Sequence, residues 1–275
     1  SKRSDQFASY AKRERLGGVD DAMGTSSDAN EISQSRGSDS YSLNDYGLTD
    51  HLPAATVSNE DPGFDEMMDQ TEGILEQMAL NREVRVASAV MTAGNYAGNT
   101  AGLTGADRWD SSAGGNPAKN FQDGLAACWQ GRGPGEYIGV CSIDVANVLS
   151  RHLGLNDLFK NTMPGLTKMD RLAAEFGLAR ILVGGARKDT ANPGQAESYS
   201  RIWGKHFAII RRARRPSLRN AAFGYTLRFK SHPNTQQWFD PRKGVEGAYM
   251  VKVGMSEQQK IIAPTTAWLW TDVLS

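Results

Sequence analysis

Hydrophobic residues between Asp61 and Met91 recur every three or four positions, which is the spacing of one face of an α-helix. The pattern predicts one long amphipathic helix. Asp61 suits the N-cap, and Pro62 suits the first helical position because proline has no N–H to leave unpaired there. At 1.5 Å per residue, about 30 residues span roughly 45 Å, nearly the width of a compact chain of this length. The molecule is therefore either flat and elongated or broken at Gly73, and we favour the elongated form.

The 58 residues before this helix are rich in Ser, Asp, Gly and Asn and cannot form a core alone. Such a composition is typical of a disordered tail, but this segment contains more aromatic residues than such tails usually do. We therefore expect a two-stranded excursion with its tip near residues 17–37. A lone hairpin is marginally stable in water, so it needs a surface to lie against. The aromatic residues are Phe7, Tyr10, Tyr41 and Tyr46.

Helix and strand patterns alternate between residues 116 and 219 and predict a compact α/β unit. Asn116 and Pro117 start a second helix. A buried strand follows at Tyr137–Cys141, and Ser142 caps the next helix. The rest of the chain is rich in Val, Ile, Tyr, Phe and Trp, which favours strands. The later strands are predicted at Ile181–Val183, Tyr199–Ile210, Phe223–Phe229, Tyr249–Val253 and Ile261–Trp270.

Composition excludes several classes of protein. The chain has 275 residues, is 39% hydrophobic and contains no apolar run of about 18 residues, so we expect no transmembrane helix and no membrane partner. It begins without methionine or a secretion signal, which suggests processing or a longer product. Cys128 and Cys141 have no metal-type spacing, and we interpret both as small buried hydrophobic residues.

The formal net charge of zero conceals two oppositely charged halves. Residues 1–130 contain 10 Lys and Arg against 20 Asp and Glu, whereas residues 131–275 contain 21 against 11. The two halves either neutralise each other within one fold, or acidic parts of one copy meet basic parts of another.

Little catalytic chemistry is visible in the sequence. The four histidines are dispersed, and none lies in a zinc, serine-hydrolase or cysteine-protease signature. We therefore predict no enzyme activity, no metal site and no cofactor. The histidines are His51, His152, His206 and His232.

The densest charge feature is a run of four arginines in five residues, which repel one another and need a counterpart. That counterpart is solvent, the carboxylates of a neighbouring copy, or DNA phosphates. The run consists of Arg211, Arg212, Arg214 and Arg215.

The order of several short segments resembles that of the major capsid proteins of tailed bacteriophages, the HK97-fold family. These segments occur in the family's order over roughly residues 60–275. They are Leu80–Ala87 (LNREVRVA), Arg180–Gly185 (RILVGG), Tyr199–Lys205 (YSRIWGK), Phe223–Tyr225 (FGY), Lys260–Pro264 (KIIAP) and Trp268–Asp272 (WLWTD).

The resemblance implies an α+β fold of the HK97 type, divided along the chain. Residues 1–58 would form an extended loop, and residues 116–219 an axial domain. A discontinuous peripheral domain would combine residues 59–115, which contain the spine helix, with strands in residues 220–275. Family members commonly carry an N-terminal arm before the loop, and this chain begins almost at the loop. One branch of the family is known for chemical cross-linking. No local motif in this chain supports it here, and we predict no cross-link.

The resemblance also implies the function. Hexamers and pentamers of the chain would form an icosahedral head in the virion, assembled in the host cytoplasm, that encloses double-stranded DNA without sequence-specific binding. Decoration, portal or scaffolding proteins are further partners that such a head allows. Three alternatives are an encapsulin-like shell with protein cargo, a nucleic-acid-binding module that uses the arginine run, and a hydrolase with a hidden site. Candidate subunit-interface residues are Phe7, Tyr10, Arg13, Arg15, Tyr41 and Leu43.

Overall fold

The computed structural model describes residues 2–9, 21–23, 29–31, 37–59, 65–111, 114–128, 137–159, 168–192, 194–213, 222–230 and 233–275. Within these residues the helices are α1 (Ala54–Ser58), α2 (Glu66–Met91), α3 (Pro117–Cys128), α4 (Ile143–Arg151), α5 (Leu153–Phe159) and α6 (Met169–Glu175). The strands are β1 (Ser4–Ser9), β2 (Gly37–Ser42), β3 (Asn44–Pro53), β4 (Thr100–Gly102), β5 (Tyr137–Ser142), β6 (Arg180–Gly184), β7 (Arg187–Asp189), β8 (Tyr199–Arg201), β9 (Phe207–Arg211), β10 (Gly224–Arg228), β11 (Asn234–Asp240), β12 (Ala248–Ile261) and β13 (Ala267–Thr271).

The predicted long helix is confirmed as α2, which continues through Gly73 for 26 residues, or about 39 Å. Its N-cap is Asp65, whose carboxylate accepts the backbone N–H of Met68 at 2.9 Å. The predicted cap at Asp61 and Pro62 lies outside the described residues. Its buried side chains form two groups: Ile74 and Met78 pack against the four-stranded sheet, whereas Ala87 and Val90, near the C-terminal end, lie on a different face, where Val90 packs in a cluster with Ala208 and Phe223.

A four-stranded sheet packs on this helix, and β12 is its central strand. β3 pairs antiparallel with one edge of β12, while β10 and β11 pair antiparallel with the other edge. Val251 and Val253 of β12 form a small core with Ile74 and Met78 of α2. Within the described residues, the helix therefore covers one face of the sheet and leaves the opposite face open.

The structure corrects the prediction that residues 1–58 lie outside the body. β3 is paired with β12 along its whole length, from Asn44 to Pro53. Leu52 is buried, and Leu48 packs against the core beneath α2. The strand was missed because polar residues separate its few apolar ones, and because its partner strand lies about 200 residues later in the chain.

A second, five-stranded sheet has the order β4-β13-β9-β5-β6. β4 runs parallel to β13 and β6 parallel to β5, whereas β9 is antiparallel to both of its neighbours. Its core is aromatic: the ring of Trp109 lies 5.4 Å from Phe121 and 5.5 Å from Phe207, measured between centroids. β4 and β13 lie outside residues 116–219. This sheet therefore contains strands from both inside and outside the predicted axial domain.

Local sequence signals correctly predicted where two helices in the second half of the chain begin. Asn116 accepts the backbone N–H of Lys119 at 3.0 Å at the start of α3, and Ser142 accepts that of Val145 at 3.4 Å at the start of α4. Both predicted caps are therefore confirmed.

Other strands differ from the prediction. The single strand expected at Tyr199–Ile210 is divided into β8 and β9, with Gly204 at a φ of +60° between them. β12 does not end at Val253 but continues to Ile261. β11 was not predicted, because it is an exposed edge strand of mostly polar residues.

Candidate assembly surfaces

β1 and β2 form an antiparallel hairpin that leaves the body at the open face of the four-stranded sheet. Its register runs from the pair Ser4–Ser42 to the pair Ser9–Gly37. The predicted two-stranded excursion is thus confirmed in its paired strands, while most of its tip lies outside the described residues. Leu43 closes the base by donating its backbone N–H to the carbonyl oxygen of Arg3 at 2.9 Å.

The side chains of β12 alternate between this hairpin and the helix. Gln258 accepts the backbone N–H of Ser42 at 3.1 Å, and Lys260 forms an ion pair with Asp39 at 2.9 Å. Glu257, which directly precedes Gln258, points to the opposite face and towards α2. One strand therefore holds the extended hairpin on one side and the long helix on the other.

Glu257 is fully buried and is surrounded by cationic groups. Its carboxylate lies 2.9 Å from Arg85 and 3.4 Å from Arg82 of α2, and 3.1 Å from Arg228 of β10. Gln259 donates a further hydrogen bond at 3.0 Å. Burial alone raises the pKa of Glu257, but the hydrogen bonds and the arginine charges outweigh it, so the pKa lies below its ordinary value. The group is therefore a buried carboxylate at neutral pH.

The same cluster reaches the base of the hairpin. The guanidinium carbon of Arg85 lies 3.7 Å from the centroid of the Tyr46 ring in β3. Next to Tyr46, Asp45 accepts a hydrogen bond from Ser256 and forms an ion pair at 3.0 Å with Arg3, which directly precedes β1. These contacts therefore link α2 to β12 and β3, and link β3 to the residue that precedes β1.

The sequence analysis did not identify this cluster, although one signal was present. Arg82 and Arg85 continue the spacing of the buried residues Ile74 and Met78 along α2. Cations at inward positions of a helix require a buried counter-charge, and here Glu257 supplies it. Nothing near Glu257 in the sequence indicates that it lies opposite the helix.

The predicted interface residues of the hairpin are partly described. Phe7 and Tyr41 are half-buried. They lie on one face of the hairpin, because Tyr41 pairs with Asp5, and Asp5 and Phe7 are two residues apart in the same strand. Leu43 is half-buried at the hairpin base. The remaining candidates, Tyr10, Arg13 and Arg15, lie outside the described residues.

The structure divides the predicted arginine run. Arg211 ends β9 opposite Tyr137 and is only 4% exposed, so it belongs to the five-stranded sheet and not to a solvated loop. The strand continues one residue further than expected, so this arginine is buried with it. Arg212 is exposed. Arg214 and Arg215 lie outside the described residues, so their role stays a prediction.

Burial suppresses the charged forms of Cys128, Cys141 and His206. Burial raises the pKa of the Cys128 and Cys141 thiols to about 12, as expected for buried hydrophobic cysteines. Burial lowers the pKa of His206, whose Nδ1 accepts the backbone N–H of Asp272 at 3.1 Å. Among the described residues, no group of three or more His, Cys, Asp and Glu side chains could hold a metal ion. None of the helices described above is long and apolar enough to cross a membrane.

No protein-family model matches the chain. The major capsid protein of Pseudomonas phage JBD67 is 30% identical over 257 residues, which are 92% of this chain and 81% of that protein. The major capsid protein of Burkholderia phage BcepMu is 26% identical over 163 residues, covering 58% of this chain and 52% of that protein. A phage-related protein from Bordetella bronchiseptica RB50 has a similar structure, with a TM-score of 0.75 and 21% identity, over 99% of this chain and 88% of that one. The likeness extends over both sheets and the long helix.

Proposed function

This chain belongs to the family of phage major capsid proteins and has their HK97-like fold, and from that membership we propose that its hexamers and pentamers build an icosahedral head around double-stranded DNA. The observation that carries the proposal is the relative from Pseudomonas phage JBD67, which matches 92% of this chain. The place of the protein is accordingly the capsid of the virion, and its role is structural.

The hairpin supports assembly on physical grounds. Its polar contacts with the body described above run from its base, at Arg3 and Ser42, to Asp39, which pairs with Phe7 further along the ladder. Two strands alone are marginally stable, so a hairpin held by these few polar contacts gains from a neighbouring surface. Repeating that contact head to tail around a ring produces closed oligomers.

A shell with protein cargo is not favoured as an alternative. Both curated relatives that match the chain are phage major capsid proteins. Enclosed DNA remains the proposed content, and exposed Arg212 is one group on the described surface that suits phosphate contact without reading bases.

Electron microscopy of the purified chain tests the proposal directly. We expect closed icosahedral particles from the chain alone or with the proteins of its phage. Particles from infected cells should protect DNA from nuclease, whereas particles that retain only protein would contradict the proposed content. If the chain forms no particles, either after purification or in infected cells, the proposed assembly is contradicted.

A further inference from the structure

The cluster around Glu257 carries more positive than negative charge. Arg82, Arg85 and Arg228 all form ion pairs with its single carboxylate. In the described part of the chain, no other carboxylate pairs with any of these three guanidinium groups. Because arginine stays protonated in proteins, three positive charges against one negative charge leave an excess of two.

The carboxylate of Glu257 is already fully occupied. Its Oε1 accepts hydrogen bonds from Arg85 at 2.9 Å and from Gln259 at 3.0 Å. Its Oε2 accepts one from Arg228 at 3.1 Å and lies 3.4 Å from Nε of Arg82. The Nε atoms of Arg82 and Arg85 are buried and have no hydrogen-bond partner among the described residues. Since each guanidinium has five N–H donors, the cluster has donors to spare and lacks an acceptor for them.

Two of the three arginines are open to solvent and adjoin each other. The Nε atoms of Arg82 and Arg228 approach the same oxygen, Oε2 of Glu257. The side chain of Glu257 is 0% exposed, whereas those of Arg82 and Arg228 are 40% and 28% exposed. Arg85 lies deeper, against the ring of Tyr46. A small anion from solution can therefore reach Arg82 and Arg228 without displacing the carboxylate.

Shape and charge together favour a phosphate group as that anion. The planar fork of a guanidinium group matches two phosphate oxygens and binds them with paired, charge-assisted hydrogen bonds. A phosphate monoester carries a charge of about −1.5 to −2 at pH 7, which balances the excess in the cluster. A carboxylate, or the phosphodiester of DNA, carries one negative charge and leaves part of the excess uncompensated.

We propose that Arg82 and Arg228 bind a phosphate dianion from solution, while Arg85 adds its charge to the site. Arg82 belongs to α2 and Arg228 to β10, so the bound phosphate joins the long helix to the four-stranded sheet. A ligand that binds the folded chain and not the unfolded one stabilises the fold. The site is a property of the single subunit and extends beyond the proposed function.

Titration of the unassembled full-length subunit with inorganic phosphate at pH 7 tests the proposal, with chloride added to keep the ionic strength constant. Titration calorimetry should give one phosphate per chain. The transition temperature should rise by about 2–5 °C at a phosphate concentration of ten times the dissociation constant. Arg82→Gln should weaken binding about tenfold or more, because it removes a charge-assisted hydrogen bond. Arg242→Gln removes an exposed cation from a turn outside the cluster and is the matched control, which should bind like the unaltered chain.

Glu257→Gln gives a test of opposite sign. Loss of the carboxylate increases the positive excess, so this variant should bind phosphate more tightly, and phosphate should restore part of its thermal stability. Stabilisation by phosphate as a general cosolvent would instead raise every transition temperature alike. Equal shifts in the unaltered chain, Arg82→Gln and Arg242→Gln would therefore overturn the proposal. If Glu257→Gln does not unfold cooperatively, the comparison of Arg82→Gln with its control still decides.

A short DNA duplex separates free phosphate from the DNA backbone as the source of the ligand. Arg82→Gln should leave binding of the duplex unchanged, because the duplex carries only phosphodiesters. If the duplex binds more tightly than inorganic phosphate and Arg82→Gln removes that binding, the ligand is the DNA backbone and the assignment to a free dianion is overturned. The subunit stays unassembled throughout, so none of these results depends on whether shells form.

Discussion

The indole N–H of Trp203 donates a hydrogen bond of 2.7 Å to the carboxylate of Glu83 and thereby joins the segment between β8 and β9 to the long helix. The ring of Trp203 also lies directly over Gly184 at the end of β6. These three residues come from three of the short segments that resemble the capsid family. These three segments therefore meet at one junction between the helix and the five-stranded sheet.

This junction predicts a strong effect at a single glycine. A Cβ at position 184 would lie 2.1 Å from the ring of Trp203, whereas a Cβ at Gly185 would meet nothing within 4 Å. Gly184→Ala should lower the free energy of unfolding by about 1–3 kcal/mol through overpacking. Gly185→Ala is the matched control and should unfold close to the unaltered chain. Calorimetry of both variants checks the prediction, and equal transition temperatures would contradict it.

The inward face of α2 predicts a second outcome. Ile74 is 7% exposed and packs against Val251 and Val253. Ile74→Asp should yield insoluble protein, because burial of an unpaired carboxylate costs several kcal/mol, comparable to the stability of a domain. Gln77→Asp adds the same charge at an exposed position of the same helix and should remain soluble. Soluble, assembling Ile74→Asp protein would show that the helix is packed differently.

The buried carboxylate of Glu257 gives a third prediction. Glu257→Gln leaves Arg82, Arg85 and Arg228 without their shared counter-charge and should lower the free energy of unfolding by about 1–3 kcal/mol at pH 7, a value reduced by the partial exposure of the arginines. Glu246→Gln, in an exposed turn, is the control. Denaturant unfolding of the unassembled subunit measures both.

The same variant should also change the pH dependence of stability. Because the pKa of Glu257 is lower in the folded chain than its ordinary value of 4.5, its contribution is present above that pH and disappears as the pH falls through the lowered pKa. The difference in transition temperature between the unaltered chain and Glu257→Gln should therefore narrow below about pH 4.5. If the difference in transition temperature between the two chains stayed constant across this pH range, the destabilisation by Glu257→Gln would come from packing and not from the lost charge.

Truncation separates folding of the body from assembly. A chain that starts at Leu43 keeps β3 and should unfold near the temperature of the full-length subunit, yet form no closed particles. A chain that starts at Leu52 also lacks most of β3 and should unfold at a clearly lower temperature. Calorimetry and electron microscopy check both. Closed shells from the chain that starts at Leu43 would exclude an assembly role for the hairpin.

The arginine run gives the last prediction, in which buried Arg211 is left intact. Arg212→Glu, Arg214→Glu and Arg215→Glu together should block assembly without DNA if these residues meet a neighbour's carboxylates. They should instead give empty shells that package poorly if they face DNA. Normal empty and full particles would mean that these side chains are only solvated.

Sequence reasoning succeeded where a signal is local. The period of α2, the Asn116 cap and the Ser142 cap each depend on residues within a few positions of one another. It failed for β3 and β11, because polar strands are recognisable only when paired. It also missed Glu257, whose hydrogen bond to Arg85 joins residues 172 positions apart. Long-range polar contacts of this kind are fixed by the fold and leave little trace in a short window of sequence.

The position of β13 has a consequence for synthesis of the protein. This strand, at Ala267–Thr271, lies between β4 and β9 and is the only described link between them in the sheet. A polypeptide interrupted before Ala267, by a premature stop codon or by proteolysis, lacks that link and leaves Trp109 and Phe207 without the ring of Trp270. Such fragments cannot complete the aromatic core, so we expect only full-length chains to have a subunit fold stable enough to enter a growing shell.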